Sequence, residues 1–459
     1  MNQPLISVSG VRGIVGEVFI EDLVRRWAAA FARKIGGSQV RLGDSRIVVG
    51  RDTRPSGQWA LELAIKTLEE NGVGPIIIGV ASTPTAQLAV THWSAQGAML
   101  ITASHNPSQW NGLKFLGADG VFLSGEEMKE LTQQAYSEEV YERVTGCKNK
   151  KDPVAGQRHL ENILIKLPIN LKQIRSRRLK VVLDPVNGAG ALVLPRLLEL
   201  LNCQLTVING EPNGQFAHPP EPTPANLTQL CDKVREMGAD IGLAVDPDAD
   251  RLALVNEKGE AISEEYTPTL ATLALLENNQ LPITNYQKKV VVNLSTSRMV
   301  EDVAARFGVE VLRSAVGERY VVDLMRQSRA IIGGEGNGGV IYPTSHYGRD
   351  SLVATTFILD LLARRPEPLS VIIAALPQYV MRKEKFPRSG AWQQERIHYA
   401  LTKFFPGASI NTTDGIRVDL PYGWVQLRPS NTEPVVRLIG EAKSELELNE
   451  LLQGLRPLL

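Results

Sequence analysis

Residues 46–103 read RIVVGRDTRPSGQWALELAIKTLEENGVGPIIIGVASTPTAQLAVTHWSAQGAMLITA. Three apolar runs in it, RIVVG (46–50), PIIIG (75–79) and GAMLITA (97–103), are separated by stretches with apolar residues at helical spacing. Short β-rich runs predict buried strands, and the amphipathic stretches between them predict crossover helices on a largely parallel sheet. The order restarts at 179 with LKVVLD, the turn NGAG, a helix through Leu201 and QLTVI. It restarts again at 289 with KVVVNL, SRMVEDVAARFG, VEVLRS, a helix near 318–328 and AIIGG. The chain reads as α/β, with three similar mixed α/β domains of about a hundred residues each, a spacing that suggests duplication. The last part differs: extended QYVMRKEKF, a helix around Gln394 to Phe405, a strand meander and a closing helix from Ala442 predict a smaller C-terminal α+β domain. Polar or proline-bearing segments at 147–156, 257–265 and 364–370 are candidate boundaries, giving domains 1–150, 151–257, 258–368 and 369–459.

Bulk composition narrows the function classes. At 459 residues the chain can bury several cores. Lys plus Arg equals Asp plus Glu at 50 each, so no global field favours nucleic acid or an anionic membrane, and a charged ligand must be met locally. Cys147, Cys203 and Cys231 are odd in number and lack CxxC spacing, which argues against a disulfide framework or structural zinc. MNQPLISVSGVRG has no signal-peptide character, and no run of 18 apolar residues occurs. A cytoplasmic protein is expected.

Asp246-Pro247-Asp248-Ala249-Asp250-Arg251 follows the apolar run IGLAV and precedes LALV. Three carboxylates at alternate positions converge on one hard cation if the backbone turns there, and repel without one. The alternatives are a solvated acidic turn and a calcium loop with Glu257 at its twelfth position. The calcium loop fails on context, because Arg251 stands where the sharp turn needs glycine. Thr102-Ala103-Ser104-His105-Asn106-Pro107 also ends an apolar run, where a side chain meets the crevice at a sheet's carboxyl edge. Ser104 is a candidate nucleophile, although the GxSxG elbow of a hydrolase is absent and a lone Ser-His pair is more often a plain turn.

Gly334, Gly336 and Gly339 satisfy GxGxxG, yet the segment runs into VIYPTSHYGRD, which starts no helix, and no acidic residue ends a strand about twenty positions on. Neither HRD nor DFG follows, so a kinase glycine loop is unsupported. Glycines around Glu335 and Asn337 could instead let the backbone approach a polyhydroxylated ligand. Arg428-Pro429-Ser430-Asn431-Thr432-Glu433-Pro434, with Arg437 beyond, gathers cations, hydroxyls, an amide and turn N–H groups into a candidate phosphate cradle. An ordinary proline-flanked turn is the alternative there.

In this order the four segments resemble the α-D-phosphohexomutase family (phosphoglucomutase, phosphomannomutase and phosphoglucosamine mutase) over essentially the whole chain. TASHNP is similar to its phosphoserine loop, DPDADR to its metal loop, GGEGNGG to its sugar loop and RPSNTEP to its phosphate loop. SGVRG with Arg12, GRDTRPSG, NGLKF with Lys114 and DPVNGAG agree. The resemblance implies four domains around a central cleft, in chain order phosphoserine, metal-binding, sugar-binding and phosphate-binding. It implies an intramolecular phosphotransferase that interconverts hexose 1-phosphate and 6-phosphate through phosphoserine 104 and a bound 1,6-bisphosphate, which also serves as activator. Ser104 with Asp246, Asp248 and Asp250 would bind Mg2+, and the cation would offset the repulsion between phosphate and carboxylates. Arg12 and Arg251 would add positive charge near the transfer, and His105 and Lys114 would handle the acceptor's hydroxyl proton. Glu335 and Asn337 would grip the sugar, while Arg428, Ser430, Asn431, Thr432 and Arg437 would hold the distal phosphate.

Two places depart from the commonest family patterns. Asn337 and Gly339 stand where many members have Ser and His, and VSGVRG replaces a Phe-Gly-Thr start. GEGNGG followed by HYGRD resembles the phosphoglucosamine mutase-like branch of archaea and some bacteria. Glucosamine phosphate is therefore the expected substrate, with glucose or mannose phosphate as the alternative. His346 and Arg349 are candidates to compensate for the missing His, and glycine at 339 is expected to leave extra room. A nucleotide-dependent kinase or dehydrogenase and a non-catalytic sugar-phosphate binding protein are the rival classes. The expected partner is a small-molecule sugar phosphate, with no nucleic acid and no membrane, and the chain is expected to be a monomer or homodimer.

Overall fold

A computed structural model of the chain describes residues 3–36, 45–137, 147, 149–278, 289–388, 392–430, 435–453 and 455. In the first module Gly74–Val80, Arg46–Arg51 and Gly97–Ile101 lie side by side and parallel, and Trp110–Gly117 returns antiparallel to the last of them. The second module arranges Gln204–Val207, Lys180–Asp184, Ile241–Val245 and Leu252–Asn256 in the same way. So does the third, with Glu310–Ser314, Lys289–Asn293, Ile332–Glu335 and Gly339–Ile341. In each, the second and third strands flank the first, and the fourth folds back on the third. This shared order bears out the three similar modules. The sheets are mixed where largely parallel ones were expected, because each third strand is followed by a hairpin and not by another crossover. The crossovers themselves are helical, Gly57–Glu70 and Thr83–Trp93 in the first module and Met299–Ala305 and Glu318–Ser328 in the third.

The fourth sheet is wholly antiparallel, in the order Val380–Pro387, Val435–Ala442, Gly423–Pro429, Ile416–Leu420 and Ser409–Asn411. Its closing helix spans Glu445–Gln453, and Ala442, expected to start that helix, ends a strand instead. The start signal lies at Ser444, whose hydroxyl accepts from the Glu447 backbone N–H at 3.3 Å and bonds the Glu447 side chain at 2.8 Å.

One apolar core, running from Leu160 to Leu376, serves the second and third modules together, while the first and fourth keep their own. The cause is the helix Ser351–Arg364, buried at every position from Ser351 to Ala363. A helix apolar all round must be enclosed on all sides. It packs on Leu171–Arg177, on Tyr266–Leu276 and on strands Leu252–Asn256 and Gly339–Ile341. Asp350 caps it by accepting from the backbone N–H groups of Leu352 and Val353, which fixes the segment just before the helix.

Candidate active site

The first three motif segments occupy one topological place. Each forms the turn between the carboxyl end of a third strand and its antiparallel partner: 102–109, 246–251 and 336–338. Such ends, at the switch point of an α/β sheet, are where ligands are met. Each turn holds a left-handed residue, Ser104 at φ +51°, Ala249 at φ +52° and Gly338 at φ +89°. For serine and alanine that conformation is costly, so surrounding contacts must hold it.

Arg54 does so for the serine turn. Its guanidinium is wholly buried and donates to the carbonyls of Ser104 (2.7 Å), Asn106 (2.6 Å), Pro107 (2.7 Å) and Trp110 (3.0 Å), and to Asp52 Oδ2 at 3.1 Å. All five N–H donors are used. Asp52 also accepts from Thr102 Oγ1 at 2.6 Å, and Thr102 Oγ1 accepts from the Ser104 backbone N–H at 2.9 Å. The result aims Ser104 Oγ at Asp246 Oδ2, 3.0 Å away, with His105 Nδ1 at 3.5 Å. Burial first, then Arg251 and Arg12, holds His105 well below its ordinary value, so the ring is neutral near pH 7. Arg12 donates to Asn106 Oδ1 at 3.0 Å, and burial lowers it to about 10, where it stays charged.

Asp246, Asp248 and Asp250 are buried, and their carboxylate oxygens lie within 4.8 Å of one another. Each is gripped through one oxygen. Asp248 Oδ2 receives Lys114 Nζ and Thr83 Oγ1, both at 2.5 Å, and Asp250 Oδ2 receives Arg349 Nη2 at 2.6 Å. Asp246 Oδ1 accepts from the backbone N–H groups of Asp250 and Arg251 at 3.2 Å. Asp248 Oδ1 and Asp250 Oδ1 are left buried with no hydrogen-bond partner. Buried orphan acceptors of this kind are rare and costly. Burial first, then Asp250 and Asp248, pushes Asp246 well above the usual carboxylate range. Burial would raise Asp248 too, but Lys114 and the hydroxyl hydrogen bonds outweigh it and hold Asp248 far below that range. An all-oxygen donor set with two unsatisfied carboxylate oxygens fits a hard divalent cation.

The sugar-loop side is joined to this cluster through Arg349. Its Nη1 donates to Glu335 Oε2 at 2.7 Å, while Glu335 Oε1 accepts from Asn293 Nδ2 at 2.7 Å and from the Gly317 N–H at 2.9 Å. The neighbouring Val316 N–H donates to Asp414 Oδ2 at 3.0 Å, and that same oxygen accepts from Arg428 Nη1 at 2.6 Å. A nearly continuous path of contacts therefore runs from Ser104 through Asp246, Asp250, Arg349 and Glu335 to Arg428. In the fourth sheet Arg428 stands opposite Arg437, and Arg437 opposite Lys385. Like charges directly opposite are unfavourable unless an anion joins them.

Comparison with known proteins settles the kinship. Residues 4–142, 157–259 and 265–380 match the phosphoglucomutase/phosphomannomutase alpha/beta/alpha domains I, II and III, and residues 380–457 match the C-terminal domain of the same family. The chain belongs to the phosphoglucomutase/phosphomannomutase family. It is 35% identical to a phosphoglucomutase/phosphomannomutase of Thermococcus kodakarensis, over 98% of this chain and 97% of that one. It is 30% identical to a phosphoglucosamine/phosphogalactosamine mutase of Sulfurisphaera tokodaii, over 98% of both. A crystal structure of a phosphoglucomutase/phosphomannomutase family protein from Burkholderia thailandensis superposes with a TM-score of 0.84 at 26% identity, covering 99% of this chain and 97% of that one. As a member of this family the protein is an enzyme, a phosphotransferase isomerase of the phosphohexomutase class.

Of the residues singled out in the sequence, the structure gathers Arg12, Ser104, His105, Lys114, Asp246, Asp248, Asp250, Arg251 and Glu335 into one network. Asn337 stays within its loop, accepting from the Gly339 N–H at 3.3 Å. Ser430 and Arg437 flank the phosphate turn, while Asn431 and Thr432 lie outside the described residues. The extra room expected at Gly339 is not there: a Cβ at that position would lie 2.2 Å from Arg349 Cδ. His346 does not take up the missing histidine's place, because its Nε2 bonds Asp350 Oδ2 at 3.0 Å, beside His159 at 2.8 Å. Sequence reasoning passed over Asp52, Arg54, Thr83, Glu318 and Asp414 as site-shaping groups. GRDTRPSG was noticed as a segment, but nothing in it reveals that Arg54 reaches fifty residues along the chain.

Arg54→Lys is expected to slow turnover about a hundredfold, because one ammonium cannot hold four carbonyls and the serine turn shifts. Steady-state kinetics beside a thermal melt checks this; a turnover within threefold of the parent would show that the turn holds its shape without the guanidinium.

Proposed function

We propose that the protein interconverts hexosamine 1-phosphate and 6-phosphate, glucosamine phosphate first, using Ser104 as the phosphoryl carrier. The observation that carries this is Ser104 Oγ held 3.0 Å from Asp246 inside a buried triad with two unsatisfied carboxylate oxygens. In the first half-reaction the bond from phosphorus to Ser104 Oγ breaks as one forms to the free sugar hydroxyl, whose proton is taken up by a neighbouring base. The bound 1,6-bisphosphate then reorients and returns its other phosphoryl group to Ser104 Oγ.

Asp246, Asp248 and Asp250, with the Ser104 phosphate, would hold Mg2+, which when bound supplies charge neutralisation and polarises the transferred group. Lys114 and Thr83 fix Asp248 by one oxygen, and Arg349 fixes Asp250 likewise, so the donor set is preorganised. His105, beside Ser104 Oγ, and Lys114, at the triad, are the groups placed to exchange the hydroxyl proton. Arg12 and Arg251 contribute positive charge where the phosphoryl group passes. Glu335 and Asn337 take the ring hydroxyls, and Arg428, Ser430, Asn431, Thr432 and Arg437 take the distal phosphate, the opposed cations of the fourth sheet favouring an anion there. Three free cysteines suit a reducing cytoplasm. Among the described residues no helix is long and apolar enough to cross a membrane.

Mass analysis of the Ser104 peptide tests the reading: one added phosphoryl group, lost on incubation with sugar phosphate, is expected, and its absence under every condition favours a non-catalytic binder. Substrate rank rests on the GEGNGG loop and on relatives named for both glucosamine and glucose or mannose chemistry. These sugars differ at C2 alone, and such small differences discriminate by about 1–3 kcal/mol. Turnover is therefore expected with all three 1-phosphates, highest in kcat/KM for glucosamine 1-phosphate, with Asn337→Ala lowering all three. A preference for glucose or mannose phosphate of about a hundredfold would overturn the ranking while leaving the mutase chemistry intact.

A further inference from the structure

Arg349 is 8% exposed, and its guanidinium binds three carboxylates from three segments. It donates to Asp250 of the metal turn at 2.6 Å, to Glu335 of the sugar loop at 2.7 Å and to Glu318 of the helix Glu318–Ser328 at 3.0 Å. Gln87, from the first module, donates to the other oxygen of Glu318 at 2.9 Å. A planar guanidinium with donors in fixed directions sets both the distance and the angle between the groups it bridges, which a lysine ammonium cannot do.

Gly339 makes this possible through space and not through backbone freedom. Its φ is outside the left-handed region, so the main chain there would accept any L residue. A Cβ, however, would sit 2.2 Å from Arg349 Cδ and 2.8 Å from Cγ. The arginine stem lies in the volume that a side chain at 339 would occupy.

We propose that Arg349 is a positioning residue that locks metal-turn Asp250 and sugar-loop Glu335 into one rigid unit, and that Gly339 is its space-making partner. This rests on the reading that Asp250 serves a divalent cation and Glu335 the sugar. By taking Oδ2 of Asp250, Arg349 leaves Oδ1 facing the triad; by taking Oε2 of Glu335, it fixes the loop that meets the sugar. Metal affinity and sugar affinity therefore depend on one side chain and fall together when it is removed.

The test uses the full chain with Arg349→Ala, Arg349→Lys, Gly339→Ala and the double variant Gly339→Ala/Arg349→Ala. Mg2+ binding is read by calorimetry without sugar, and KM and kcat are read with glucosamine 1-phosphate and glucose 1-phosphate. Arg349→Ala is expected to weaken Mg2+ binding by about 10- to 100-fold, the range for removing a partner that orients a metal ligand, with KM rising in parallel. Arg349→Lys is expected to recover one of the two readouts and not both. Gly339→Ala should reproduce both losses in the parent and cost less than about twofold in the Arg349→Ala background, where nothing remains to be displaced. Should Arg349→Ala fail to fold by circular dichroism, Gly339→Ala alone decides: losses in both readouts support the lock, and a loss in neither or in one alone overturns it. An active parent in which Gly339→Ala costs the same in both backgrounds, or in which Mg2+ affinity and KM do not move together, also overturns it. A parent with neither Mg2+ binding nor turnover on either sugar phosphate overturns the functional reading beneath it instead.

Discussion

Ser104→Ala loses mutase turnover by several orders of magnitude and keeps its fold. Covalent relay through the serine splits one difficult transfer into two easier ones, so its removal forfeits the whole route. The fold survives because the turn is held by main-chain groups: Arg54 takes the Ser104 carbonyl and Thr102 takes its N–H, and alanine offers both. The only side-chain partners lost are Asp246 at 3.0 Å and His105 at 3.5 Å. Turnover is measured with 1,6-bisphosphate supplied, so that failure to prime the enzyme is not mistaken for failure of chemistry, and a thermal melt is run in parallel. Activity within tenfold of the parent would remove Ser104 from the reaction.

Asp248→Asn is expected to reduce turnover by more than about a hundredfold, above the range seen when only a partner of a metal ligand is lost. It removes an anionic donor from a triad whose free oxygen, Asp248 Oδ1, is buried and unsatisfied. It also strips Lys114, 2% exposed, of its carboxylate partner. Breaking a buried pair by deleting one member costs roughly 3–5 kcal/mol, so the melting temperature is expected to fall as well. Titration of the rate with Mg2+ separates the two effects: a raised half-saturation point reports the metal, and a lowered melt at saturating Mg2+ reports the pair. A rate and Mg2+ requirement equal to the parent's would return the triad to an ordinary acidic turn.

The module pattern was legible because strands and helices obey local periodicity. RIVVG, PIIIG and GAMLI became neighbouring strands, and LKVVLD and KVVVNL opened the second and third copies. The hairpin after each third strand was less visible. Its return strand is written in the same apolar alphabet as a crossover strand, and only the shortness of the turn, three residues at 336–338, distinguishes it. The closing helix was misplaced by three residues because Ala442 has no preference strong enough to oppose the ladder that pairs it with Val380 and Gly423.

The sequence alone determined the groups that carry chemistry. Ser104, the three aspartates, Glu335 and Arg428 lie in compact motifs, because a turn that presents reactive side chains is built from consecutive residues. The tertiary structure decided what steadies them. Arg54 braces a turn fifty residues away, Lys114 and Thr83 hold Asp248 across modules, and Arg349 occupies the space that Gly339 leaves open. Glycine at 339 suggested a vacancy, since a sequence shows which side chain is missing and not which distant one has entered. Long-range hydrogen bonds join residues with no fixed spacing, so no local pattern could have foretold them.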